Sequence, residues 1–237
     1  MSIEIMLQQL VGGFGKTLLI FALTLVFSLP LGLLVCLGRM SNWAPFRFLD
    51  RRGGKARVSW ASKFRPVQLL FKFLISILRG TPLMLQLLVV CYGPYYLFHA
   101  KLSATWTFTA LILGFVINYA AYFAEIYRGG IESMPVGQYE AAEVLGYTKA
   151  QTFLKIILPQ VIKRIIPSIT NEVITLVKDT SMAFVLAYAE MFTLAKQIAA
   201  AKTTFMPLFV AGLCYFIFNA IVAYVMEFVE KKLSYYR

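Results

Sequence analysis

Residues 130–160 read GIESMPVGQYEAAEVLGYTKAQTFLKIILPQ. The stretch is too polar to cross a membrane and too patterned to be a mere connection. Pro135 stands near a helix start, where its missing N–H costs little. Gln138, Glu140, Ala141, Ala142 and Leu145 continue as a short helix. Gly146 permits a sharp turn. Residues 149–158 then read as a second helix, which Pro159 ends. The pattern predicts a helix–turn–helix lying across a membrane face. It is not a DNA-reading unit, because strongly apolar segments flank it within a few residues on both sides.

Outward from this stretch the chain is apolar. It is 59% hydrophobic and 14% charged over 237 residues, with 20 phenylalanines. Average soluble domains carry about 25% charged residues, so a soluble enzyme, a disordered chain and a collagen-like chain are excluded. Four runs of about 20 residues or more, 17–38, 80–100, 102–124 and 203–226, hold no charge, and each is long enough to span a bilayer. A fifth, 165–189, carries Glu172, Lys178 and Asp179. With flanks, the spans are placed at about 15–39, 67–98, 103–127, 163–189 and 204–228. The first is too long for a signal peptide, and no small-residue cleavage site follows it. The expected fold is therefore all-α and membrane-embedded, a single transmembrane domain over residues 1–237. It has five helices, with the helix–turn–helix between the third and fourth.

Five spans put the termini on opposite sides. Segments 40–65, 128–164 and 227–237 hold 15 Lys and Arg, whereas 1–16, 100–104 and 190–202 hold 4. Basic loops stay in the cytoplasm, which places the N-terminus outside, the C-terminus inside and the helix–turn–helix on the cytoplasmic face. The same bias accounts for the net charge of +12 without nucleic acid as a partner. Loop 41–65 interleaves Arg47, Arg51, Arg52, Lys55, Arg57, Lys63 and Arg65 with Trp43, Phe46, Phe48 and Trp60. It reads as an anchor on anionic headgroups, with a regulatory or partner contact as the alternative. Cys36, Cys91 and Cys214 lie singly in apolar runs and His99 lacks ligand-like neighbours, so no disulfide framework or metal site is expected.

Ionisable groups inside a span cost about 2.5–3.5 kcal/mol each at mid-membrane and normally face protein or a water-filled path. Glu172 and Asp179 are seven residues apart, two turns along nearly the same helix face. Lys178 is close enough in the helix to pair with Asp179. A structural ion pair and a polar substrate path both fit; recurrence of the charges in one span favours the path. Gly80, Thr81 and Pro82 interrupt a segment that would be about 50 Å long as one helix. Thr81 is expected to cap, and Pro82 to open, a half-helix whose free N–H groups face a carboxylate. A simple kink is the alternative. The elbow amides with Lys178 suit an α-carboxylate, and Asp179 suits an α-ammonium. Glu172 then reads the side chain and favours a cationic or polar one.

The residues Glu140-Ala141-Ala142, Gly146, Ile156 and Leu158-Pro159 at their spacing resemble the EAA loop of ABC importer permeases. Further motifs narrow this to the polar amino acid permeases, of the histidine, glutamate, glutamine, arginine and opine type. They are Arg79-Gly80-Thr81-Pro82 with Gln86, Ala121-Tyr122 with Ala124-Glu125-Ile126, Arg128-Gly129-Gly130-Ile131, Gly137-Gln138, Leu158-Pro159-Gln160 and Lys178-Asp179-Thr180-Ser181. The likeness runs over about residues 12–230; the basic loop is longer than the family pattern. It implies that Glu140, Ala141, Ala142, Gly146, Leu158 and Pro159 couple to a separate ATP-hydrolysing subunit. It also places Gly80, Thr81, Pro82, Gln86, Glu172, Lys178, Asp179, Thr180 and Ser181 along the path of a polar amino acid. The implied assembly is two permease chains (a second copy or a paralogue), an ATP-binding subunit dimer and an extracytoplasmic amino acid-binding protein, in a bacterial inner membrane. ATP and Mg belong to the partner. The chain holds no GxxxxGK[ST] phosphate loop, so no catalytic residue and no bound cofactor are expected. A gradient-driven carrier or channel would explain the buried charges but not the EAA loop, and a membrane enzyme would need a nucleophile–base pair or a metal cluster.

Overall fold

The computed structural model describes residues 3–43 and 64–233. Most of the basic loop, including Arg47, Phe46 and Trp60, therefore lies outside the described residues. The elements are α1 (Ile3–Arg39), α2 (Pro66–Gly80), α3 (Leu83–Phe98), α4 (Ala104–Glu132), α5 (Val136–Val144) and α6 (Lys149–Gln151). A π-helical segment (Thr152–Ile157), α7 (Leu158–Asp179), a 3₁₀ segment (Thr180–Leu186), α8 (Met191–Lys202) and α9 (Met206–Leu233) complete them. α1, α4 and α9 are each long and apolar enough to cross a membrane; the bent pairs around Gly80–Leu83 and Leu186–Met191 bring the total to five if each is one span.

α4 is the central helix. Phe115, Tyr119 and Phe123 on it are almost fully buried against Ile20 of α1, Leu87 and Cys91 of α3, Leu176 of α7 and Leu186. Small residues let the helices approach, as expected where lipid is as apolar as the core. A Cβ on Gly32 of α1 would stand 2.8 Å from the Phe123 Cβ, and one on Gly130 would stand 2.2 Å from a methyl of Ile165. Large residues such as Val89, Leu97, Phe209, Phe216 and Tyr224 face outward, the arrangement of a bundle solvated by hydrocarbon.

Three elements differ from the sequence expectation. α1 runs for 37 residues, about 55 Å, so residues before the first apolar run extend the same rod. Pro159 does not end the second hairpin helix; it lies in the first turn of α7, directly after the π segment. A proline lacks the N–H that would bond back along the helix. At the first turn of a new α-helical register that donor is dispensable, so the chain continues from the hairpin into the span. Segment 190–202 is not merely a connection: Met191–Lys202 form α8, anchored by Glu190 at its N-cap. That carboxylate is fully buried and accepts from the Phe192 and Thr193 amides at 2.7 and 2.6 Å, the Thr193 hydroxyl at 2.9 Å, the Thr17 hydroxyl at 3.3 Å and the Tyr215 hydroxyl at 3.0 Å. One side chain thus caps α8 and ties it to α1 and α9.

Candidate functional site

The break at Gly80–Pro82 is an elbow: α2 and α3 meet with a bend of 110°. Pro82, with no N–H, stands at the N-cap of α3, and Leu83 is the first helical residue. Thr81 does not cap α3 as expected; its hydroxyl donates back to the Ile77 carbonyl at 2.8 Å, satisfying the end of α2 instead. α3 consequently starts with no capping side chain, and its first amides are left for another acceptor.

Gln86 was expected on the substrate path, but it holds the elbow from within. Its amide nitrogen donates to the Leu78 carbonyl at 2.8 Å, the Thr81 carbonyl at 3.1 Å and the Thr81 hydroxyl at 2.9 Å. Its oxygen accepts from Asn118 of α4 at 3.0 Å, and Asn118 also reaches the Leu78 carbonyl at 3.3 Å. Two amide side chains thereby satisfy carbonyls that the broken helix exposes, the requirement for irregular backbone at membrane depth.

Next to this elbow a cavity of about 210 Å³ is lined by Thr81, Leu83, Asn118, Tyr119, Tyr122, Glu172, Thr175 and Asp179. α7 turns Glu172 and Asp179 to the same face, as their spacing predicts. Asp179 accepts the Tyr119 hydroxyl at 2.7 Å. Lys178 does not take that place: it is exposed and is not among the lining residues, because one residue is about 100° of helix turn. Thr180 and Ser181 also stand outside the lining; their hydroxyls donate to the Val177 and Lys178 carbonyls at 2.7 and 2.8 Å and start the 3₁₀ segment. Of the expected site residues, the cavity collects Thr81, Glu172 and Asp179, with Gly80 and Pro82 at the bend beside them. It adds Asn118, Tyr119 and Tyr122, polar groups inside an otherwise apolar run, which is itself a marker of a functional face. Arg79 stands over the Tyr122 ring, 5.1 Å from its centroid, so a guanidinium sits behind one wall of the cavity.

The hairpin forms at the other end of α7. Gly146 has φ +78° and turns the chain between α5 and α6. Thr148 and Gln151 form a capping box at the second helix. Ala142 is buried in the hairpin, whereas Glu140, Ala141, Val144 and Leu145 are exposed. The close approach that Ala142 permits is therefore internal, and the outward surface is offered by its neighbours. Gln160 donates to the Gln138 side chain at 3.2 Å, and Arg164 donates to the Ser133 carbonyl at 2.5 Å. These bonds fasten the end of α4 and the start of α5 to α7, where Leu158 is half-buried and Pro159 exposed. Above the hairpin, Glu125 pairs with Arg128 at 2.6 Å and Arg39 at 3.6 Å, and Arg128 also pairs with Glu132, joining the ends of α1 and α4. Among the described residues no cluster of His, Cys, Asp and Glu could hold a metal ion; His99 instead closes α3 in the left-handed conformation.

Residues 58–235 match the family described as binding-protein-dependent transport system inner membrane component. The chain is 32% identical to the arginine transport system permease protein ArtQ of Bacillus subtilis over 223 residues, covering 94% of this chain and 91% of that one. It is 38% identical to a putative glutamine transport system permease protein of Rickettsia bellii over 175 residues, 73% of this chain and 78% of the other. The fold superimposes on the crystal structure of an amino acid ABC transporter with histidines at a TM-score of 0.80 and 28% identity, over 98% of this chain and 99% of that one. With the broken helices, the EAA hairpin and these relatives together, the chain belongs to the binding-protein-dependent transport system inner membrane components, as a translocating permease subunit that does not itself hydrolyse ATP.

Proposed function

We propose that this chain forms half of the pore of an ATP-driven importer for a polar amino acid, with a preference for a cationic side chain. The observation that carries the reading is the cavity at the elbow, where two carboxylates and five other polar side chains meet inside an apolar bundle. Asp179, already oriented by Tyr119, suits the α-ammonium that every amino acid carries. The uncapped start of α3 suits the α-carboxylate through N–H groups and the helix dipole, with Arg79 behind Tyr122 in the place expected for Lys178. Glu172 is left for the side chain, and a basic one pairs with it best. Gly80, Pro82, Gln86, Thr180 and Ser181 serve this site by shaping the elbow and the start of the 3₁₀ segment.

Glu140, Ala141 and Gly146 present the hairpin to an ATP-binding subunit dimer, while Ala142, Leu158 and Pro159 hold its shape. ATP and Mg stay with that partner. α7 extends about 33 Å from the hairpin to Asp179, so a displacement imposed on α5 is passed to the acidic face of the cavity through the Gln138–Gln160 and Ser133–Arg164 bonds. A second permease chain, the same or a paralogue, completes the pore, and an extracytoplasmic amino acid-binding protein delivers the substrate. The assembly sits in a bacterial inner membrane with the N-terminus outside and the C-terminus in the cytoplasm, the direction that the basic segments favour.

The test is uptake into proteoliposomes by the full assembly. Uptake of arginine or lysine is expected only with ATP and the ATP-binding subunit. Asp179→Asn should abolish it for every amino acid. Glu172→Gln should lower uptake of a basic amino acid about tenfold to a hundredfold, the equivalent of one charge-assisted bond of about 1.5–3 kcal/mol, and leave a small neutral one less affected. Parent-like transport and selectivity in both variants, with assembly confirmed, overturns the site. Uptake that persists without the ATP-binding subunit makes the chain a gradient-driven carrier instead.

A further inference from the structure

On the side of the hairpin, a second and larger hollow lies between the start of α7 and the end of α9. It encloses about 1050 Å³, and Lys155, Lys163 and Arg164 line it together with Ile156, Ile162 and Leu233. Among the described residues no carboxylate lines it. Arg164 is held in place through Nη1 by the Ser133 carbonyl and hydroxyl at 2.5 and 3.1 Å, so its guanidinium is fixed at one wall. The hollow sits where the polar hairpin gives way to the apolar span. Three cations and several branched apolar side chains in one lining match a single ligand chemistry: a phosphodiester carrying acyl chains.

We propose that this groove is a binding site for one anionic phospholipid of the leaflet that faces the hairpin. The headgroup phosphate sits among Lys155, Lys163 and Arg164, and an acyl chain lies along Ile156, Ile162 and Leu233. Basic pockets between transmembrane helices on the cytoplasmic side take lipid headgroups in this way. The proposal needs the amino acid reading only to the extent that the orientation given there makes this leaflet the cytoplasmic one. A bound lipid would wedge between α7 and α9 at the base of the same helix that carries Glu172 and Asp179, so the lipid would set how far the hairpin end of α7 can swing.

The experiment is native mass spectrometry of the assembled transporter, with its ATP-binding subunits, in detergent containing phosphatidylglycerol or phosphatidylcholine. The expected result is one phosphatidylglycerol retained per permease chain at concentrations where phosphatidylcholine is not. The double variant Lys155→Gln and Lys163→Gln should lose affinity roughly thirtyfold, about fivefold for each surface cation. Lys155→Arg with Lys163→Arg should restore it, which separates charge from folding. Equal retention of both lipids, or parent-like retention by the double glutamine variant, overturns the proposal. So does full displacement by millimolar inorganic phosphate, which would mark a free-anion site. Retention by the isolated permease that vanishes on adding the ATP-binding subunits would assign the groove to a protein interface and overturn it equally.

Discussion

Single atoms decide much of this site. Tyr119 is about 2% exposed and gives its one hydroxyl proton to Asp179. Tyr119→Phe removes that donor and little else, leaving the carboxylate to be oriented by substrate alone. Uptake should fall about tenfold or more, since a hydrogen bond to a charged group is worth about 1.5–3 kcal/mol, with insertion and assembly unchanged; substrate-stimulated ATP hydrolysis by the purified complex measures it. Gly130 makes the opposite kind of demand. Its missing Cβ is the space that Ile165 occupies, at 2.2 Å from where that atom would be. Gly130→Ala should destabilise the α4–α7 contact by about 1–3 kcal/mol through overpacking, read as a lower unfolding temperature in detergent. The two residues also differ in how visible they are in sequence. A tyrosine in an apolar run signals polar work, whereas that glycine's neighbour, more than thirty positions away, is supplied by another helix.

At the scale of elements, the hairpin and α8 make separate demands. Glu140→Lys reverses an exposed charge on α5, and Gly146→Asp places a side chain where φ is +78°, at a strain of about 1–2 kcal/mol. Both variants should insert normally and lose ATP-binding subunit association or stimulation, scored by co-purification and ATP hydrolysis; normal stimulation in both would remove the coupling role. Glu190→Ala strips α8 of its cap and of the bonds to Thr17 and Tyr215. Caps alone are worth about 0.5–2 kcal/mol, so the unfolding temperature should drop more than for any exposed hairpin variant. The hairpin was legible because Pro135 and Gly146 are local signals; the capping pair Thr148 and Gln151 emerged only with the structure. α8 was not, because Glu190 reads as an ordinary polar loop residue until two other helices surround it. The continuation through Pro159 was hidden for a related reason: a proline looks like a stop unless a change of helical register makes its absent donor dispensable.

For the whole molecule, direction in the membrane is the property to measure. A cysteine at Val144, which is 87% exposed, should react with an impermeant thiol reagent only from the cytoplasm. One at Thr204, exposed beyond α8, should react only from outside. The reverse pattern would put the hairpin on the wrong side for an ATP-binding partner. The class of molecule followed from the chain alone. Apolar runs of bilayer length leave helices as the way to satisfy the backbone, and the spacing of Glu140, Gly146 and Pro159 marks the hairpin between them. The i and i+7 placement of Glu172 and Asp179 likewise put both acids on one face before any fold was known. Tertiary structure decided what that face meets. Tyr119 rather than Lys178 donates to Asp179, and Gln86 holds the elbow together with Asn118, which also lines the cavity. Arg79 arrives behind Tyr122 by a bend of 110°. Sequence spacing reports angles around a single helix axis. Contacts between α2, α3, α4 and α7 depend on where separate axes cross, and burial among distant side chains sets that.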